Sequence, residues 1–170
     1  MMNKRLKQGS TFLLAVALTF PLLTLPGAKA ASAINTGQKC SIEFDISGNS
    51  SELLSASIPV KLYKVASVDE SGNYTGIGAF SKLDLSSVSA DNLDAAAATW
   101  AERAAEAKKL LKDDTEPTTT TLTQGRGTAT RLDTGLYLVD TPKVITPNYT
   151  YTFTPYLVSL PTNNYYSGNG

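Results

Sequence analysis

From Cys40 to Ile46 the chain alternates without a break, with Cys40, Ile42, Phe44 and Ile46 on one side and Ser41, Glu43 and Asp45 on the other. A period of two belongs to a strand with one face buried and one in water, and Gly48-Asn49-Ser50-Ser51 ends it. The period returns in IPVKLYKVASV, residues 58 to 68, where Val60 and Leu62 oppose Lys61 and Tyr63, and Asp69-Glu70-Ser71-Gly72-Asn73 then reads as a turn. Tyr74 to Phe80 is the expected returning strand. Further along, Leu136 and Leu138 oppose Tyr137 and Val139, and Tyr149, Tyr151 and Phe153 alternate with Thr150, Thr152 and Thr154 until Pro155 bends the chain into YLVSLP. The Thr-rich run from Thr118 to Thr123 is β-branched and favours strand as well.

One segment has a different period. Leu93, Ala97, Trp100, Ala104, Ala107 and Leu111 recur at spacings of three and four, which aligns them on one side of a helix expected over 91–112. Asp91 is placed to cap its start, and Lys108, Lys109 and Lys112 suit the negative end of its dipole. Most of the stripe is Ala, which fits a helix laid on its own sheet better than the seam of a coiled coil. Several short strands with turn signals between them and one inserted amphipathic helix predict a mainly β protein, an immunoglobulin-like antiparallel sandwich.

The chain opens with Lys4, Arg5 and Lys7, an apolar run from Phe12 to Leu25, and Ala28-Lys29-Ala30. That is the pattern of a secretory leader, with cleavage expected between Ala30 and Ala31 and a second small-residue site after Ala33. Pro21 interrupts an apolar run already shorter than the roughly 20 residues of a spanning helix, so no lasting membrane span is expected in the mature chain. Residues 1–30 are thus read as leader and 31–170 as a single domain.

Composition then removes whole classes of chemistry. The 170 residues include no His and one Cys, so a Ser-His-Asp triad, a Cys-His dyad, the usual zinc sites and an internal disulfide cannot be assembled in one chain. Cys40 reads as a small buried strand residue. The leader carries Lys4, Arg5, Lys7 and Lys29 and no acid, leaving eleven of the 15 basic residues against 15 acidic ones. A mildly acidic domain lacks the clustered cations that phosphate backbones need, so nucleic acid is not an expected partner. Asp113, Asp114 and Glu116 lack the spaced ligands of a calcium loop and read as a solvated helix end. The Asn-x-Ser/Thr triplets at Asn49, Asn73 and Asn148 arise readily by chance in so Ser- and Thr-rich a chain. Neither Gly76-Ile77-Gly78 nor Gly125-Arg126-Gly127 is long enough to cradle phosphate, and no cofactor or metal is expected.

YKVASVDESGNYTG at 63–76, the Ala-rich helix, TGLYLVDT at 134–141 and YTFTPYLVSLPT at 151–162 together resemble the N-terminal domain of sortase-assembled pilin backbone subunits of Gram-positive bacteria. Tyr151, Phe153, Pro155, Leu157, Leu160 and Pro161 carry most of that resemblance. It implies a sandwich of the collagen-adhesin B type at the cell surface, in the cell wall or pilus, joined by sortase to other pilin subunits and used in adhesion. In such pilins a last strand with a Trp and an acceptor Lys follows, and an LPXTG-type sorting signal comes later. Neither is present here, so the chain reads as an N-terminal piece with an unpaired sheet edge that recruits other strands.

The resemblance also implies a covalent substitute for disulfides, a Lys-Asn bond promoted by a buried, protonated carboxylate. Lys39, Lys61 or Lys64 are the candidate amines and Asp140 or Glu43 the candidate acids, but the Asn normally comes from the absent strand, so no such bond and no acceptor Lys are expected in 31–170. The function expected is structural and non-enzymatic. The alternative is a secreted module that binds host glycan or protein through Tyr149, Tyr151, Tyr165 and Tyr166.

Overall fold

The computed structural model describes residues 7–11, 14–18, 33–86 and 97–161, with the backbone alone considered in the first two segments. In chain order the elements are β1 (Lys7–Thr11), β2 (Leu14–Leu18), β3 (Lys39–Asp45), α1 (Ser51–Leu54), β4 (Ile58–Val68), β5 (Tyr74–Gly76), α2 (Ala97–Leu110), β6 (Thr118–Leu122), β7 (Arg126–Asp133), β8 (Gly135–Asp140), β9 (Val144–Ile145), β10 (Tyr149–Phe153) and β11 (Tyr156–Leu160). They form a mainly β, antiparallel sandwich with one substantial helix, as the periodicities predict. One sheet runs β11-β8-β4-β5 with β6 also on β4; facing it are β2-β3-β7 and β1-β10-β9.

Two hydrophobic cores lie on opposite faces of the large sheet. The first gathers Ile42, Phe44, Leu53, Val60, Leu62, Leu122, Tyr137, Val139 and Leu160 between the sheets. The second packs Tyr63, Val65, Leu136 and Leu138 under α2, where Ala104 and Ala107 are fully buried. Alanine is the reason the helix approaches so closely: without long side chains on that stripe, its backbone settles onto β8 and β11. Strand β8 is therefore buried on both faces from Gly135 to Val139. Tyr63 likewise faces the helix rather than water.

The expected helix of 91–112 is seen from Ala97 to Leu110; Asp91, Leu93 and Asp94 lie outside the described residues, and Leu111 follows the last turn. Of its stripe, Ala97 is exposed. The returning strand expected over 74–80 stops at Gly76. A 3-10 turn, Gly78–Phe80, replaces the rest, with Gly78 at φ +55° and Phe80 turned into the second core.

The chain changes sheets at a tight hairpin. β6 pairs with β4 in the large sheet and β7 with β3 in the facing one. Between them Gln124 and Gly125 take φ values of 52° and 79°, the left-handed pair that a two-residue hairpin turn requires. The next corner rests on Gly135, at φ 144°, where a Cβ would stand 2.3 Å from the carbonyl oxygen of Ala66. The Tyr137 hydroxyl donates across this corner to the Asp133 carbonyl at 2.9 Å, and Thr134 donates to that of Thr36 at 2.8 Å.

Three substitutions separate these effects. Phe44→Ala empties a fully buried site and is expected to lower unfolding free energy by about 3–5 kcal/mol. Gly135→Ala should cost at least about 2 kcal/mol through its forbidden φ and the Ala66 carbonyl. Gly48→Ala, with nothing within 4 Å of the new Cβ, should stay within about 0.5 kcal/mol. Chemical denaturation midpoints at constant m-value would rank them.

Candidate functional site

Of the predicted lysines and carboxylates, Lys61, Lys64 and Asp140 fall on β4 and β8, the paired strands at the centre of the large sheet. Lys61 stands directly opposite Asp140, and Lys64 opposite Tyr137. Three residues apart on one strand, the two lysines point to opposite faces. Lys61 and Asp140 share the α2 face, whereas Lys64 is on the face of the first core's rim, with its Nζ 4.0 Å from Asp133 Oδ2. The fold therefore brings Lys61 to Asp140 and separates Lys64 from it.

Asp140 already has a partner that the spacing did not reveal. Lys108 Nζ, reaching down from the last turn of α2, donates to Asp140 Oδ1 at 2.7 Å, and the Asp140 side chain is only 15% exposed. The pair fastens the helix to the sheet it covers. Burial, with the Asp140 charge adding to it, raises the pKa of Tyr63 on the same face. Among the described asparagines, Asn35 accepts from the Gly37 amide, and the side chains of Asn49, Asn73 and Asn148 donate to the Ile46 carbonyl, Asp69 and Glu52. None of these four asparagines is recorded in a hydrogen bond with Lys61 or Asp140.

Lys39 and Glu43 lie on β3, away from this site. Lys39 pairs with Asp133 on β7, and its hydrogen bond and charge hold the Asp133 carboxyl below the usual range. At the other end of β3, Arg126 Nε is 3.3 Å from Asp45 Oδ2. The Cys40 thiol is buried and pushed up by desolvation.

The segment resembling pilins folds as β10, a short bend and β11. Tyr151, Phe153, Leu157, Leu160 and Pro161 are buried and Pro155 is half-buried in the bend. Ser50 Oγ links two elements: it accepts from the Leu53 amide at the start of α1 and meets the Tyr151 hydroxyl at 2.7 Å. Glu52, the next acidic residue, accepts from the Asn148 amide at 2.9 Å and holds α1 against the loop before β10. Hydrogen bonds, first from Thr146 and then from Asn148, keep its carboxyl below its ordinary pKa. The Tyr156 hydroxyl, in contrast, is buried with no hydrogen-bond partner, and desolvation raises its pKa.

Ala30 and Ala31 lie outside the described residues, as do Tyr165 and Tyr166. Residues 7–11 and 14–18 each add a strand to the layer that faces the large sheet. β1 runs parallel to β10, from Lys7 opposite Tyr149 to Thr11 opposite Phe153, and β2 runs antiparallel to β3, from Leu14 opposite Asp45 to Leu18 opposite Ser41. Among the described residues no helix is long and apolar enough to cross a membrane, and no three His, Cys, Asp or Glu side chains cluster as metal ligands. Asp113, Asp114 and Glu116 are exposed after the helix. No protein-family model, curated protein or solved structure matches this chain.

Two measurements check this geometry. The intact mass of residues 31–170 should equal that calculated from their sequence, with no deficit of one ammonia; such a deficit would show a lysine joined to an amide. Tyr156→Phe removes an unpartnered buried hydroxyl and should stabilise by about 1 kcal/mol. Because the tyrosine's folded pKa lies above its unfolded value of about 10, its neutral form favours folding below that pH, and this contribution is lost as pH rises through the folded value. Tyr156→Phe should therefore also reduce the loss of stability seen in alkaline titration above about pH 10.

Proposed function

We propose that this chain is a non-catalytic structural domain of a covalently assembled surface pilus, exported through its leader and contributing to adhesion. The observation that carries the reading is the joining of the two pilin-like segments. TGLYLVDT forms β8, YTFTPYLVSLPT forms β10 and β11, and β11 pairs antiparallel with β8 from Tyr156 opposite Val139 to Leu160 opposite Gly135. Segments separated in sequence thus build one sheet edge whose large side chains are buried. The Ala-rich helix on the outer face of that sheet supports the same reading.

The binding-module alternative draws less support. Tyr151 is buried with its hydroxyl on Ser50, and Tyr149 is half-buried, its ring 5.8 Å from that of Tyr151. These rings serve the sandwich more than a ligand surface.

In the cells that produce the protein, antibody against the chain should reveal a ladder of detergent-resistant, high-mass species in cell-wall extracts. Deleting the housekeeping and pilus sortases should collapse it to single-chain mass. A single band of one-chain mass in sortase-competent cells would refute the pilus.

A further inference from the structure

Strand β3 has β7 on one side and the leader strand β2 on the other. The β2 register sets Ala15 and Ala17 opposite Phe44 and Ile42, and Leu14, Val16 and Leu18 opposite Asp45, Glu43 and Ser41. Residues directly opposite share a face of the sheet. The leader strand completes the backbone ladder of β3.

The strand is also complementary to itself. Laid antiparallel on a second copy about a two-fold axis through Ile42, it sets Cys40 opposite Phe44 and Ile42 opposite its own counterpart on the core face. On the outer face Lys39 falls opposite Asp45, and Ser41 opposite Glu43. The charges at its two ends already belong to ordered pairs on β7, Lys39 with Asp133 and Asp45 with Arg126, each directly opposite in the β3–β7 register. Across the joined edges the outer face would read Asp133, Lys39, then Asp45 and Arg126 of the second copy. The signs alternate over four strands, and the two-fold axis repeats the row at the other end. Opposite charges facing across strands stabilise and like charges destabilise; a surface that pairs with itself in this way closes as a dimer rather than a fibre.

We propose that removal of the leader converts the β3 edge into an interface between two copies of this chain, paired antiparallel through Ile42 into one continuous sheet. This rests on cleavage near Ala30 and requires no sortase, so its failure is distinguishable from failure of the pilus reading.

The test uses the full chain expressed in a secreting host and the exported species that results. Light scattering should show a dimer, and hydrogen exchange should show protection of residues 39–45 that weakens on dilution while β8 stays protected. Lys39→Glu sets an acid opposite Asp45 of the other copy and beside Asp133 of its own β7, and Asp45→Lys sets a cation opposite Lys39 of the other copy and beside its own Arg126; each alone should weaken dimerisation by on the order of tenfold or more. Mixing the two variants restores both opposite-charge pairs, so an equimolar mixture should form the heterodimer although neither variant dimerises well alone. That rescue excludes misfolding as the cause of the single-variant loss. An exported monomer, a dimer indifferent to both variants, a mixture that fails to associate, or an exported chain that keeps residues 14–18 on β3 would each overturn the interface. Protection of 39–45 independent of concentration would overturn it too, assigning the edge to a segment of the same chain.

Discussion

Burial of β8 on both faces sets the terms for everything around it. A strand in that position needs apolar residues at every position, and LYLV supplies them: Tyr137 and Val139 enter the core between the sheets, Leu136 and Leu138 the core under the helix. Two layers of packing depend on one four-residue stretch. The helix is held there by Ala104 and Ala107, whose small size permits close approach, and by Lys108 at the Asp140 end of the strand. At its ends, Thr134 donates to the Thr36 carbonyl and Asp140 accepts from Lys108. Tyr137 illustrates the economy of the arrangement: its ring fills the first core while its hydroxyl ties the corner at Asp133.

Strand exchange between the layers follows from a few backbone positions. The left-handed pair at Gln124 and Gly125 turns the chain from the large sheet to the facing one, so that β6 and β7, neighbours in sequence, hydrogen-bond in different sheets. A Cβ at Gly125 would meet Leu54 Cδ2 at 2.5 Å, so any side chain there would have to displace Leu54. The small helix α1 thus packs on this hairpin and, through Ser50 and Glu52, on β10 as well. It acts as a brace between strands that are distant in sequence.

Much of the fold was legible because period-two patterns are local. The alternation of Cys40 to Ile46 located β3, and IPVKLYKVASV coincides with β4 from end to end. The Ala stripe correctly implied a helix lying on its own sheet. What escaped was short or long-range: four residues of α1 are too few to display a period, and Gly78 shortened a strand by a left-handed φ that alternation does not encode. Tyr63 reads as solvent-facing in a strand pattern and becomes buried only because a helix arrives from some forty residues later. Lys61 and Asp140 were named, with Lys39, Lys64 and Glu43, as candidates for a bond that the resemblance implies, but which of them stand opposite one another needed the β4–β8 pairing. Lys108 was read as a charge suited to the helix dipole. Its contact with Asp140 spans 32 residues, and nothing local signals it.

Cys40 stands on the core face of β3, 3% exposed and with its thiol held in the protonated form by desolvation. A thiol reacts as thiolate, so in the closed sandwich this one is chemically quiet. Its quietness lasts only while the strand keeps its neighbours. The rate at which an alkylating reagent consumes Cys40 thus becomes a clock for how often this edge of the sandwich opens, one built into the native sequence and free of any competing cysteine.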